Sequence, residues 1–161
     1  IAGLADGGRD RAVAVGIAGL VQKLAVGRQA AVALDQFKPA IGAGLKHIRL
    51  IAPTTPPERV KTLAQSSEGF IYLLSRTGVT GSHGAPSANI GAQVAAIREF
   101  TDTPICVGFG ITTPEQAAEV AKSADGVIVG SAIVKQVELH PQNAATAVRD
   151  FTAPLIAAAK R

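Results

Sequence analysis

Phe70-Ile71-Tyr72-Leu73-Leu74-Ser75-Arg76-Thr77-Gly78-Val79-Thr80-Gly81 decides how the rest of the chain is read. It opens as an apolar run of strand length and then breaks into a loop with three closely spaced glycines, Gly78, Gly81 and Gly84. A buried strand that empties into a Gly-rich loop is how an α/β enzyme places a closing lid over its active site. An ordinary connection between a strand and a helix has the same outline, so the pattern alone leaves both readings open.

Outward from this run, short apolar segments alternate with amphipathic ones. Strands are expected over 47–52, 69–74, 104–108 and 126–129, and their near-continuous apolar character reads as parallel strands buried on both faces. The helix starts are marked. Thr55-Pro56-Pro57-Glu58 reads as a capping box with proline at the first helical position, and Thr113-Pro114-Glu115-Gln116 repeats the device. Ala117, Val120 and Ala121 then form an apolar stripe. A helix over 90–100 turns Ile90, Val94, Ile97 and Ala96 inward. A last helix over 142–159 buries Val148, Phe151, Leu155 and Ile156, with Pro154 expected to kink or divide it. The result is four successive βα units, which are half of a (β/α)₈ TIM barrel or most of a flavodoxin-like sheet; periodicity does not choose between them.

Residues 1–46 differ, being rich in Ala, Gly and Val. A helix over 11–26 is conceivable but weakened by Gly16 and Gly19. A second helix is expected over 35–44, and no strand before His47. The domain reading is therefore a single α/β domain over 1–161, with a divergent segment 1–46 ahead of four βα units in 47–161.

A length of 161 residues suits one domain with a real core. Hydrophobic content of 47% against 17% charged excludes a disordered chain. No apolar run approaches the roughly 18 residues of a membrane span, and no signal peptide is seen. The start at Ile1 and the lack of any Met point to a piece of something longer. The single cysteine, Cys106, lies inside an apolar strand and reads as a buried inert thiol, which fits a reducing cytoplasm. The net charge of +4 is uneven, with nine Lys/Arg against four Asp/Glu over 1–61 and seven against eight beyond, but the basic residues are scattered and aromatics are 4%, so no nucleic-acid surface is expected.

Two glycine motifs close the last two strands. One is Gly108-Phe109-Gly110-Ile111-Thr112; the other is Gly130-Ser131-Ala132, running into helical sequence over 133–139. In barrel enzymes the loops after the last two strands, with a nearby helix N-terminus, form a phosphate site. Glycine lets the backbone approach the anion, free N–H groups point at it, and the helix dipole favours its charge. Ser131 adds a hydroxyl donor. His47, His83 and His140 are far apart and match no metal motif, so no metal is expected. His83 falls in the lid loop, where an exposed histidine is the plain reading. No nucleophile elbow or Walker loop is present.

Four segments resemble the tryptophan synthase α chain. Leu50-Ile51-Ala52-Pro53-Thr54-Thr55 is similar to its fifth strand and turn, and Tyr72–Gly81 to its sixth strand and lid. Gly108-Phe109-Gly110-Ile111 and Gly130-Ser131-Ala132-Ile133-Val134 are similar to its seventh and eighth. The likeness covers about 45–161. It implies a lyase that splits indole-3-glycerol phosphate into indole and glyceraldehyde 3-phosphate in tryptophan biosynthesis. By the resemblance Gly81, Gly110, Gly130 and Ser131 hold the phosphate, Tyr72 and Phe109 line the indole pocket, and Thr80 belongs to the lid. It also implies a partner β chain, which carries pyridoxal phosphate; this chain itself needs no cofactor. The family's chemistry requires two carboxyl groups to move protons. Leu4-Ala5-Asp6-Gly7 matches the tetrapeptide around the family's catalytic Asp, which makes Asp6 a candidate. The family's catalytic Glu has no counterpart, its fourth-strand motif is not seen, and Asp6 lies too close to His47 for two further βα units. A catalytically inactive half-barrel that binds phosphate and pairs with a second half-barrel is therefore an alternative, as is another phosphate-binding barrel enzyme.

Overall fold

The computed structural model describes residues 12–15 (backbone only), 42–75, 89–108 and 110–160. Five strands form one parallel sheet: β1 Ala12–Val15, β2 Arg49–Ile51, β3 Ile71–Leu74, β4 Ile105–Gly108 and β5 Gly126–Val129. Five helices follow β2–β5: α1 Pro57–Gln65, α2 Ile90–Arg98, α3 Pro114–Ala121, α4 Ser131–Leu139 and α5 Ala144–Ala159. The strand order is β1-β5-β4-β3-β2. Successive strands are thus spatial neighbours from β2 to β5, and the first strand lies beside the last. A flavodoxin-like sheet reverses its order at a switch point; this one does not. The order is that of a barrel wall, in which the first strand returns to the eighth.

Side-chain parity agrees. One set of alternate strand residues, Ile51, Ile71, Leu73, Ile105, Val107, Val127 and Val129, joins a single buried cluster. The helices contribute Ala64 of α1; Ile90, Val94 and Ile97 of α2; Ala117, Val120 and Ala121 of α3; and Leu155 and Ala159 of α5. Each large aliphatic side chain buried there contributes roughly 1.5–3 kcal/mol. The helices therefore share one face of the sheet. The other set, Leu50, Tyr72, Leu74, Cys106, Gly108 and Ile128, lies on the opposite face by the two-residue period and the strand register.

The N-terminal ends of the strands are tied by charge. Arg98 pairs with Asp125, whose Oδ2 also accepts the Ile105 N–H at 2.8 Å. Nearby, Arg49 donates to Nε2 of His47 at 3.3 Å. Burial, then the adjacent guanidinium, holds that imidazole below its ordinary pKa, as an acceptor should be.

Several sequence expectations change. A strand does precede His47, because β1 pairs along the whole of β5, Ala12 with Gly126 through Val15 with Val129. The open edge of β5 offers backbone partners that override a weak helical pattern, so 12–15 are not helical. The Thr55 capping box is absent. Its hydroxyl accepts the Ala52 N–H at 3.0 Å and closes the turn after β2, leaving Pro56 as N-cap. Thr55 stands one residue too early to cap. The Thr113 box is present in full. Ala96 is exposed, on the solvent side of α2. Pro154 neither ends nor divides α5: Asp150 and Pro154 are both exposed, so the carbonyl that loses its partner faces water. Val148, Phe151 and Ile156 are half-buried rather than buried. Of the helix expected over 35–44, only 42–44 lie within the described residues.

Candidate substrate site at the strand ends

Parallel pairing fixes where the two glycine loops leave the sheet. Gly108 of β4 lies in register with Ile128 of β5, about 4.8 Å away across the ladder. Two residues beyond each member of that pair stand Gly110 and Gly130. The two loops therefore leave the same edge of the sheet side by side. Gly110 has φ +79, and a Cβ placed there would meet nothing within 4 Å. Its left-handed backbone demands glycine, and its surroundings are open. Gly130 is the N-cap of α4 without a side-chain cap, and Ser131 at the first helical position is exposed. The first N–H groups of a helix lack intrahelical partners, so this end presents donors and a positive dipole.

Tyr72 comes from β3, on the face away from the helices, and is half-buried. Its ring lies against Gly108. A Cβ on Gly108 would stand 2.7 Å from Tyr72 Cε2, 2.9 Å from its Oη and 2.8 Å from Ile128 Cβ. The missing side chain of Gly108 thus leaves the space the ring fills. Burial pushes the Tyr72 hydroxyl above its ordinary pKa, so the ring presents a neutral phenol. Ser75, fully buried, donates its N–H to the Gly108 carbonyl at 2.9 Å and ties the start of the next loop to β4.

The loop after β4 is pinned at its far end. Ile111 is buried in the helix-side cluster. Gln116 Oε1 accepts from Thr112 N at 2.8 Å, Thr112 Oγ1 at 3.2 Å and Thr113 N at 3.3 Å. Glu115 is held below the usual carboxylate range, chiefly by a hydrogen bond from its own backbone N–H and then by the Thr113 hydroxyl. It is ionised near neutrality and no proton donor. Strands β2–β5 end in Ile51, Leu74, Gly108 and Val129, so no carboxylate projects from the last residue of any of these four. Among the described residues no cluster of three His, Cys, Asp or Glu could hold a metal.

The structure therefore brings Tyr72, Gly110, Gly130 and Ser131 to one end of the sheet. Asp6, Thr80, Gly81 and Phe109 lie outside the described residues, as do His83 and the rest of the expected lid. Sequence reasoning passed over three residues. Gly108 was read only as part of a motif, although a strand-terminal glycine beside an aromatic strand is a signal of close approach. Gln116 was read only as a helix cap. Ser75 gave no signal. Chemically, the described part can grip an anion beside a flat apolar ring, and it holds no proton-transfer pair.

A family model described as "Tryptophan synthase alpha chain" matches residues 12–159. The tryptophan synthase alpha chain of Novosphingobium aromaticivorans is 48% identical over 124 residues, covering 76% of this chain and 47% of the relative. That of Desulfatibacillum aliphaticivorans is 46% identical over 121 residues, covering 74% and 46%. Among solved structures, Mycobacterium tuberculosis tryptophan synthase superposes with TM-score 0.67 at 34% identity, over 80% of this chain and 49% of the other. The alpha subunit from Campylobacter jejuni gives 0.62 at 35%, over 78% and 51%. The chain spans about half the length of the curated relatives it matches.

Proposed function

Because the chain belongs to the tryptophan synthase alpha chain family, we propose that it carries the substrate-holding half of that family's lyase site, the one that cleaves indole-3-glycerol phosphate to indole and glyceraldehyde 3-phosphate. The observation that carries this reading is the side-by-side exit of the Gly110 and Gly130-Ser131 loops next to the Tyr72 ring. The phosphate sits between the two loops, on backbone N–H groups and the Ser131 hydroxyl at the positive end of α4. The indole lies along the face that carries Tyr72. Gly81, Thr80 and Phe109 complete the lid and pocket by their place in the family's motifs. Asp6 is the candidate acid–base group. The partner is a β chain, which receives the indole and holds the pyridoxal phosphate; this chain contributes no cofactor. A reducing cytoplasm suits the free, buried Cys106.

The test has two arms. Glycerol 3-phosphate binding is titrated against the protein and against Ser131→Asp. A carboxylate beside the anion abolishes binding; unchanged affinity refutes the phosphate assignment. Indole release from indole-3-glycerol phosphate is then followed with and without a β chain. Release that Asp6→Ala abolishes supports Asp6 as the acid–base group; binding without release shows a half-site whose carboxyl groups are not supplied by this chain.

A further inference from the structure

A capping box needs its third helical residue to accept one N–H, that of the N-cap. Gln116 does more. Its longest hydrogen bond, 3.3 Å, goes to the N-cap Thr113, while its shortest, 2.8 Å, goes one residue upstream to Thr112 N. The Thr112 hydroxyl adds a third donor to the same oxygen. An amide oxygen has two lone pairs, so this acceptor is fully committed, and mostly to the loop rather than to the helix.

That loop is short. It leaves the sheet at Gly108, which is held by the β3 and β5 registers. It re-enters structure at Ile111, which is buried. Thr112 follows at once, clamped by Gln116. Gly110, with its left-handed φ, lies between these fixed ends. The direction of its backbone depends on both anchors, and a backbone donor binds an anion best when its direction is set before the anion arrives.

We infer that Gln116 is a positioning residue for phosphate recognition: from the first turn of α3 it fixes Thr112 and so aims the Gly110 backbone at the phosphate. The inference rests on the reading of the Gly110 loop as a phosphate loop. It concerns affinity for the phosphate end of the substrate only, and Gln116 touches no reacting atom.

Gln116→Met keeps the length of the side chain and removes the acceptor. Affinity for glycerol 3-phosphate is expected to fall about tenfold, the order of one well-directed hydrogen bond, while affinity for free indole stays unchanged. Arg98→Leu supplies the control. It breaks the Arg98–Asp125 pair at the opposite ends of the strands, lowers the melting temperature, and leaves both affinities as they were. Gln116→Met with unchanged glycerol 3-phosphate affinity overturns the inference, and so does parallel loss of phosphate and indole affinity, which marks a purely structural role. Unsubstituted protein that binds indole but no glycerol 3-phosphate overturns the phosphate reading itself, and the inference with it.

Discussion

Gly108→Ala places one methyl group where there is no room. The new Cβ would lie 2.7 Å from Tyr72 Cε2 and 2.8 Å from Ile128 Cβ, whereas carbon atoms rest about 3.5–4.0 Å apart. The two obstacles differ. Tyr72 is a side chain that can swing away from the sheet. Ile128 Cβ is fixed to the backbone of β5, in register with residue 108, and yields only if the strands move. Overpacking of this kind costs about 1–3 kcal/mol, and burial of one methyl returns at most about 0.8 kcal/mol. A net loss of about 1 kcal/mol is expected, lowering the melting temperature of a chain this long by roughly 2–4 °C. Tyr72 is the single tyrosine and the chain has no Trp. Near-ultraviolet circular dichroism therefore watches this ring with little interference, and its signal should weaken as the ring is displaced. Tyr72→Ala removes two of the three close contacts and leaves Ile128. The double variant should thus be about 1 kcal/mol more stable than the sum of the single losses, within the range seen for touching residues. Additivity within about 0.5 kcal/mol, or an unaltered tyrosine signal in Gly108→Ala, would refute the seating of the ring on Gly108.

Three further outcomes follow from the same geometry. Tyrosinate formation, read by ultraviolet absorbance, reports Tyr72 alone; its midpoint should lie above the ordinary value of 10.0 and return toward it in urea. Cys106 should resist thiol reagents at neutral pH, because burial, aided by Asp125, pushes its thiol up to about 11; rapid labelling of the folded protein would contradict that burial. A raised folded pKa means that the native state holds the proton longer than the unfolded chain does, so both groups stabilise below their unfolded pKa values. For Cys106 that stability should be lost as pH climbs from about 9 through about 11, and for Tyr72 as pH climbs above 10.0, seen as a falling melting temperature. Asp125→Ala strips the acceptor from the N–H of Ile105, a fully buried residue, and should cost about 1–3 kcal/mol in urea unfolding. Asp125→Asn, which keeps an acceptor oxygen, should cost less.

The sequence announced much of its fold through local signals, and most, but not all, of those signals were sound. All four strands from β2 onward lie inside the expected ranges, with β5 matching at both ends. The Thr113 box caps α3 as its spacing requires, since hydroxyl, proline and amide stand at the N-cap, first and third positions of one turn. The Thr55 box failed because an extra proline separates hydroxyl from helix, and a donor three residues upstream claimed the oxygen. β1 could not be read at all. Ala12-Val13-Ala14-Val15 has no distinctive pattern, and what makes it a strand is the edge of β5, more than a hundred residues later in the chain. That pairing is also what separates a barrel wall from a flavodoxin-like sheet, so the decisive evidence for architecture lay in a contact no local period records.

The candidate site divides along the same line. Gly110 and Gly130 were legible as glycines just past strand ends, and the structure places them at the exits of β4 and β5, Gly110 with a left-handed backbone and open surroundings. Gly108 has the same composition and another cause: it is glycine because a neighbouring strand carries Tyr72. Nothing within the Gly108–Thr112 motif distinguishes the two roles; only the register does, by setting Leu74 opposite Gly108 and so bringing Tyr72 within reach on the same face. The acid–base groups stand apart from both. A carboxylate is a common surface residue, and it becomes catalytic through the company a fold gives it. β2–β5 end in aliphatic residues and glycine, which suits the substrate-holding role proposed above: donors from backbone, flat apolar area, and no carboxylate at these four strand ends. On that proposal, proton-moving groups come to this wall from other elements, and the wall's own residues bind and orient.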